Sequence, residues 1–138
     1  NQMVGDGLMA IFGAPLPLAD SATAAVNAAR EMIEMVQLLG VERLSQGKPE
    51  IRIGIGIATG DMIAGYTGTQ DRATYTCVGD TVNLAARLEA HTKVAGETIL
   101  MDGATRAALG EKAAVTALGP VEIRGKAGPV EVFAAKAN

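Results

Sequence analysis

The sequence has 138 residues, of which 49% are hydrophobic and 20% are charged, and its formal net charge is −3. This composition predicts one globular domain with a core and argues against a disordered chain. The acidic balance, with no basic stripe, argues against a nucleic-acid-binding surface, so any anionic ligand must be held locally by a few cations, backbone N–H groups or a metal.

The first predicted elements are a hairpin and a long helix. In NQMVGDGLMAIFG, Asp-Gly stands between two apolar runs, which is a strong hairpin signal. After a proline-containing loop, a helix is predicted from Asp20 to near Leu44, with Asp20 or Ser21 as its N-cap. Its apolar residues recur at helical spacing and predict a buried face made of Ala22, Val26, Ala29, Ile33 and Val36.

The clearest predicted strand is IRIGIGIATG, residues 51–60. Four isoleucines share one face of it, whereas the other face carries Gly54 and Gly56. Glycines in a strand leave room for a close approach. Either a packed helix or a ligand would fit there.

The second half of the chain alternates short strands with helices. Strands are predicted in MIAGY and ATYTCV, and the elements that follow are a helix over Asp80–Lys93, a strand at Thr98–Leu100, a short helix near Ala104–Leu109, a strand near Ala114–Leu118 and a closing hairpin around Gly125–Pro129. This mixture of hairpins and crossover helices favours an α+β fold, with one sheet and helices mainly on one face.

Several kinds of site are excluded by the residues themselves. Thr59 stands where G-x-G-x-x-G needs its third glycine, and no P-loop consensus exists. His91 is the only histidine, which argues against a His-based metal site or a Ser-His-Asp triad. Cys77 is the only cysteine, so no internal disulfide can form; we interpret it as a core residue in a reducing, cytoplasmic compartment. No apolar run is long enough to cross a bilayer, and membrane attachment of the whole protein stays open.

The remaining polar residues are candidates for phosphoryl chemistry. Asn83 and Arg87 lie four residues apart in a predicted helix and share a face, which alone would also fit a solvated surface. Asp6 is either a structural turn residue or a hard oxygen ligand for Mg²⁺ or Mn²⁺. Arg124 and Lys126 lie near a hairpin end, where exposed cations are common. Together, a carboxylate, an amide and a guanidinium are what phosphoryl chemistry on a nucleotide needs.

The sequence resembles the catalytic domain of the class III nucleotidyl cyclases, the adenylyl and guanylyl cyclases. MVGDGLMAIFG is similar to the family's hairpin with its metal-binding aspartate, IRIGIGIATGDMIAGYTG to its central strand and following hairpin, and YTCVGDTVNLAARLE to its signature helix. VEIRGKAGPVEVF resembles the closing hairpin, so the resemblance covers nearly all of residues 1–138 as one catalytic domain. Because the chain begins at Asn1 inside a strand-like pattern, we interpret it as part of a longer protein with upstream regulatory domains, here without the family's N-terminal strand and helix.

The resemblance implies a ferredoxin-like, antiparallel-rich sheet and a head-to-tail homodimer with shared sites. Asp6 would be one of two aspartates that bind two Mg²⁺ or Mn²⁺ ions per complete site. Asn83 would orient the ribose, and Arg87 would meet the negative charge that builds on the α-phosphoryl group. Arg124 occupies the place of a family lysine that holds the terminal phosphates, with Lys126 as the alternative. The implied reaction is attack of the ribose 3′-hydroxyl of ATP or GTP on the α-phosphorus, with release of pyrophosphate.

Three positions depart from the family pattern. The second metal aspartate belongs to an upstream strand, so residues 1–138 alone are expected to be inactive. Gln2 stands where the family has a base-reading lysine. Thr76 stands where it has a base-reading acidic residue, although some branches use threonine. Because Gln2 can both donate and accept hydrogen bonds, the choice between ATP and GTP stays open.

Two functions remain as alternatives. The first is an active nucleotidyl cyclase, which the presence of Asp6, Asn83 and Arg87 favours. The second is a cyclase-like regulatory module that binds a nucleotide or dimerises without turnover, which the change at Gln2 keeps open. A diguanylate cyclase fits poorly, because its Gly-Gly-acidic-acidic-Phe hairpin is absent.

Overall fold

The computed structural model describes residues 2–4, 7–14, 17–69, 72–110 and 114–136. These residues form eight strands and three helices. In chain order they are β1 (Gln2–Val4), β2 (Gly7–Met9), α1 (Ser21–Ser45), β3 (Ile55–Ile57), β4 (Ile63–Thr69), β5 (Arg72–Val78), α2 (Asp80–Ala95), β6 (Ile99–Asp102), α3 (Gly103–Leu109), β7 (Val115–Val121) and β8 (Val130–Ala135).

The strands form a four-stranded sheet and two separate hairpins. The sheet has the order β3-β6-β8-β7, in which β3 and β6 are parallel and the other neighbours are antiparallel. The hairpins are β1–β2 and β4–β5. The α+β, antiparallel-rich fold is therefore confirmed, with the strands of the described residues divided among three sheets rather than one.

The core lies on both faces of the four-stranded sheet. Along β6, Ile99 and Met101 pack with Val26 and Ile33 of α1. Leu100, between them, packs with the α2 residues Leu84 and Leu88 on the other face, as the period of two in a strand requires. Leu109 at the end of α3 packs on the α1 side. Two of the three described helices thus share one face, and α2 lies alone on the opposite face.

The predicted strand over residues 51–60 is wrong in its length. β3 contains Ile55–Ile57, and Ile55 lies opposite Ile99 in β6. To extend β3 before Ile55, the residues before Ile99 would have to pair with it as a strand. Those residues include Gly96, which has φ 71° and forms the C-cap of α2. The pairing partner, rather than the propensity of the isoleucines, therefore sets the length of this strand.

The predicted helix starting at Asp20 is confirmed as α1. Asp20 occupies the N-cap position, but it has φ 57° and its side chain makes no capping hydrogen bond to the helix backbone. Instead its carboxylate accepts a hydrogen bond of 2.9 Å from the Thr23 hydroxyl. Among the described residues, no helix is both long and apolar enough to cross a membrane.

Candidate active site

Helix α2 carries the two residues that the sequence singled out, and glycines at both ends set its limits. Gly79, between β5 and α2, has φ 140°, a conformation that favours glycine. At the other end Gly96 donates its backbone N–H to the Thr92 carbonyl at 2.9 Å in a left-handed C-cap. Leu84 and Leu88 anchor one face in the core, and the side chains of Asn83 and Arg87 beside them are exposed.

The loop between β7 and β8 lies against α2. Ile123 is buried and packs in the same cluster as Leu84 and Leu88. After it the chain turns tightly, because the Lys126 N–H donates to the Ile123 carbonyl at 3.1 Å and Gly125 has φ 89°. The exposed side chains of Arg124 and Lys126 therefore stand on a loop that a buried isoleucine holds next to the helix.

Helix α2 and this loop form a shallow cleft of about 70 Å³. The structure here brings together residues that lie some forty positions apart in the sequence. A larger hollow of about 420 Å³ adjoins the cleft, but residues 122–128 of the loop line it alone. We take the cleft between the two elements as the candidate site; its lining residues are Asp80, Asn83, Leu84, Arg87, Ile123, Arg124, Gly125 and Lys126.

The cleft is positively charged. It contains three cations, Arg87, Arg124 and Lys126, against the single carboxylate of Asp80. In the part of the chain that the structure describes, none of these cations forms an ion pair; the salt bridge found there joins Arg52 and Glu50 at 4.0 Å. Their charges are therefore not neutralised locally, and a guanidinium can bind two phosphate oxygens at once. The arrangement suits a ligand that carries phosphate groups.

Three predicted site residues are not placed in the cleft. Asp6 lies outside the described residues, although the strands on either side of it pair with Val4 opposite Gly7. Gln2 lies in β1 opposite Met9, and Thr76 lies in β5 opposite Gly65, but their side chains are not described. No group of three or more His, Cys, Asp or Glu residues comes together among the described side chains. Since Asp6 is not one of these, the metal site stays a prediction.

Sequence reasoning missed two side chains that shape the cleft. Asp80 lies at the start of α2, three residues before Asn83, and the spacing of neighbours on one helix side could have identified it. Ile123 belongs to the predicted closing hairpin. Its burial could not be predicted from that hairpin, because it depends on packing against α2. Arg124 and Lys126 both line the cleft, so the structure leaves both as candidates for a phosphate contact.

Comparisons with known proteins agree with this architecture. A family model described as the adenylate and guanylate cyclase catalytic domain matches residues 2–136. Adenylate cyclase 1 of Rhizobium meliloti (strain 1021) is 31% identical over 132 residues, which are 96% of this chain and 20% of that protein. The chain thus spans about a fifth of the length of this curated relative.

Two solved structures share the fold closely. The crystal structure of the adenylyl cyclase CyaB from P. aeruginosa superposes with a TM-score of 0.86 at 30% identity, covering 98% of this chain and 69% of that chain. The crystal structure of the guanylyl cyclase Cya2 gives a TM-score of 0.84, also at 30% identity, covering 96% of this chain and 66% of that chain. The likeness is thus nearly equal for an adenylyl and a guanylyl enzyme.

Proposed function

Since the chain belongs to the family of adenylate and guanylate cyclase catalytic domains, we propose that it converts ATP or GTP to the 3′,5′-cyclic monophosphate and pyrophosphate. One observation carries this proposal. Helix α2 brings Asn83 and Arg87 to the same cleft as Arg124 and Lys126, and no described carboxylate pairs with these cations. A nucleoside triphosphate would balance the excess of positive charge in the cleft.

Each polar side chain of the cleft has a distinct role in this proposal. Arg87 contacts the α-phosphoryl oxygens and stabilises the charge that develops there during attack. Arg124, with Lys126 as the alternative, holds the terminal phosphates. Asn83 orients the ribose, because an amide can donate a hydrogen bond to one hydroxyl and accept one from another.

The proposal includes two divalent ions, Mg²⁺ or Mn²⁺, in each complete site. A carboxylate is the hard oxygen ligand that these ions prefer, and Asp6 is the residue of this chain that would supply it. When bound, the ions lower the pKa of the attacking hydroxyl and hold the triphosphate. A second aspartate is expected outside residues 1–138, so these residues alone should bind metal weakly and show no turnover.

The proposed site is shared between two copies of the chain in a head-to-tail homodimer. The described cleft has two walls, α2 and the loop of residues 122–128, both from one chain. By the family resemblance, Asp6 acts on the nucleotide bound at the other copy's cleft, and two-fold symmetry produces two equivalent sites. We place this domain in the cytoplasm, where ATP and GTP are supplied, and assign regulation to domains elsewhere in the whole protein.

The proposal includes both purines as possible bases of the substrate. The chain is equally similar, at 30% identity, to an adenylyl and a guanylyl cyclase of known structure. Gln2 and Thr76 are the residues we propose to contact the base. Since glutamine and threonine can each donate and accept hydrogen bonds, the pair suits either purine.

The test uses the full-length protein. It is incubated with ATP and with GTP separately in the presence of Mn²⁺, and products are separated by chromatography. We expect the cyclic monophosphate of at least one nucleotide, and none from residues 1–138 alone. If the full-length protein is folded and dimeric but forms neither product, the domain is a regulatory module instead of an enzyme.

A further inference from the structure

Gly56 in β3 and Gly54 just before this strand let α2 lie directly on the sheet. A Cβ atom added at Gly56 would overlap the carbonyl oxygen of Ala85 and the backbone nitrogen of Glu89, and would lie 2.9 Å from the Cβ of Leu88. A Cβ at Gly54 would overlap the hydroxyl of Thr92. Helix α2 thus fills the space beside these glycines. Of the two occupants that the sequence allowed, a packed helix or a ligand, the structure shows the helix.

The point of contact lies beneath the candidate site. Ala85 lies between Asn83 and Arg87 in α2, so Gly56 touches the backbone of the turn that carries both residues. The loop with Arg124 and Lys126 is joined to the same sheet through β7 and β8. A change in the height of α2 above β3 would therefore move one wall of the cleft relative to the sheet that carries the other wall.

From this geometry we propose that Gly56 is a positioning residue of the cyclase site. Gly54, two residues earlier on the same face, has a supporting role because it also contacts α2. The inference rests on the function proposed above. An alanine at position 56 would meet backbone atoms, which cannot rotate away as a side chain can. Interiors are closely packed, so the helix must rise by roughly 1 Å to reach an ordinary contact distance. Asn83 and Arg87 would rise with it, and the packing of Ile123 on Leu84 and Leu88 would no longer hold Arg124 and Lys126 in the same position relative to them.

The principal test is Gly56→Ala in the full-length protein. We expect kcat to fall by about 10²-fold, because a misplacement of about 1 Å is enough for such a loss. KM should change by less than about threefold, since the variant keeps every side chain that is proposed to hold the phosphates. A crystal structure of the variant should show α2 raised from β3.

A matched control is Gly103→Ala at the start of α3. A Cβ there would lie 3.9 Å from the Cε1 atom of Phe133, which is an ordinary contact. Gly103 lies outside the cleft, so kcat and KM should equal those of the wild type. The control separates the effect of adding a methyl group to a glycine from the effect of lifting α2.

The pair Gly54 and Thr92 supplies a second test by rescue. The obstacle at Gly54 is a side chain, with the Cβ and Cγ2 atoms of Thr92 at 3.0 and 3.3 Å in addition to the overlapping hydroxyl. Gly54→Ala should lower kcat per folded molecule, and adding Thr92→Ala should restore most of it. Shortening a side chain of α2 should not restore kcat in Gly56→Ala, because the added methyl group collides with the backbone of the helix.

The outcomes separate this inference from the proposed function. A folded Gly56→Ala protein with wild-type kcat overturns the inference, and so does a crystal structure in which α2 has not moved. If neither glycine variant folds, the glycines are needed to form the fold and the positioning role is overturned. If the wild-type protein makes no cyclic nucleotide, the proposed function fails. The position of α2 in the crystal structure of Gly56→Ala then still tests whether Gly56 sets the distance between α2 and β3.

Discussion

Arg87 is the residue with the most specific role in the proposed reaction. Its side chain is exposed in the cleft and has no ion-pair partner among the described residues. A guanidinium that meets charge developing in the transition state contributes more to turnover than to substrate binding. Arg87→Ala in the full-length protein should lower kcat by about 10²-fold or more and change the dissociation constant of the nucleotide much less.

The control for this variant is Arg106→Ala. Arg106 lies in α3 and donates a hydrogen bond of 2.8 Å to the Gly110 carbonyl, outside the cleft. Its removal should leave kcat unchanged. Equal losses of binding and turnover in Arg87→Ala would indicate ground-state binding, and an unfolded variant would make Arg87 a structural residue.

Arg124 and Lys126 can be distinguished by their effects on KM. Both line the cleft, and the family resemblance favours Arg124 as the contact to the terminal phosphates. Loss of a charged hydrogen bond to phosphate should raise KM about tenfold or more in Arg124→Ala, and less in Lys126→Ala. Lys93→Ala, an exposed cation at the other end of α2, serves as the control. The reverse order of the two effects would assign the phosphates to Lys126.

Cys77 is a core residue, as the sequence predicts, with 5% of its surface exposed. Its Sγ lies 3.7 Å from the Sδ of Met9, where β5 meets β2. Burial raises the pKa of this thiol, so the folded state holds the proton more tightly than the unfolded state does.

A dependence of stability on pH follows from this raised pKa. The contribution of Cys77 to stability is complete below the pKa of the unfolded thiol and is lost as the pH rises through the higher pKa of the folded thiol. The free energy of unfolding of the wild type minus that of Cys77→Ala should therefore decrease from pH 7 to pH 10. Urea titrations measure it, and a constant difference would contradict the burial argument.

At the scale of elements, the sequence predicted the helices, because their limits depend on residues that are close together in the chain. The apolar spacing of α1 and the Gly79–Gly96 limits of α2 are visible in the sequence, and both helices formed close to their predicted limits. The length of β3 was not predictable, because it depends on where β6 begins. The division of α1 and α2 between opposite faces depends on the alternation along β6, which a single element does not reveal.

Helix α3 is held by a side-chain cap that α1 lacks. The Asp102 carboxylate accepts hydrogen bonds from the backbone N–H of Thr105 at 3.0 Å and from its hydroxyl at 2.7 Å. Asp102→Ala should lower the free energy of unfolding by about 1–2 kcal/mol. Asp20→Ala should cost less, because the Asp20 carboxylate accepts a hydrogen bond from the Thr23 hydroxyl and none from the backbone of α1. Urea unfolding of both variants checks this, and equal losses would contradict it.

At the scale of the whole molecule, the candidate site depends on contacts that the sequence could only suggest. The spacing of Asn83 and Arg87 predicted a shared helix face, but only packing through Ile123 brings Arg124 and Lys126 beside them. Asp6 lies in a different part of the chain, outside the described residues. The proposed site shared between two copies would use all of these residues at once.

Complementation between two inactive variants tests that account most directly. Full-length Asp6→Ala and Arg87→Ala proteins should each keep no more than about 1% of the wild-type rate, since each lacks a proposed catalytic or metal-binding group in both sites of its homodimer. After mixing in equal amounts and exchange of subunits, half of the dimers are mixed, and each mixed dimer has one intact site of two. Cyclic nucleotide formation should therefore recover to roughly a quarter of the wild-type rate. If mixed dimers form, as shown by two different affinity tags, and the mixture stays inactive, the shared cyclase site is contradicted.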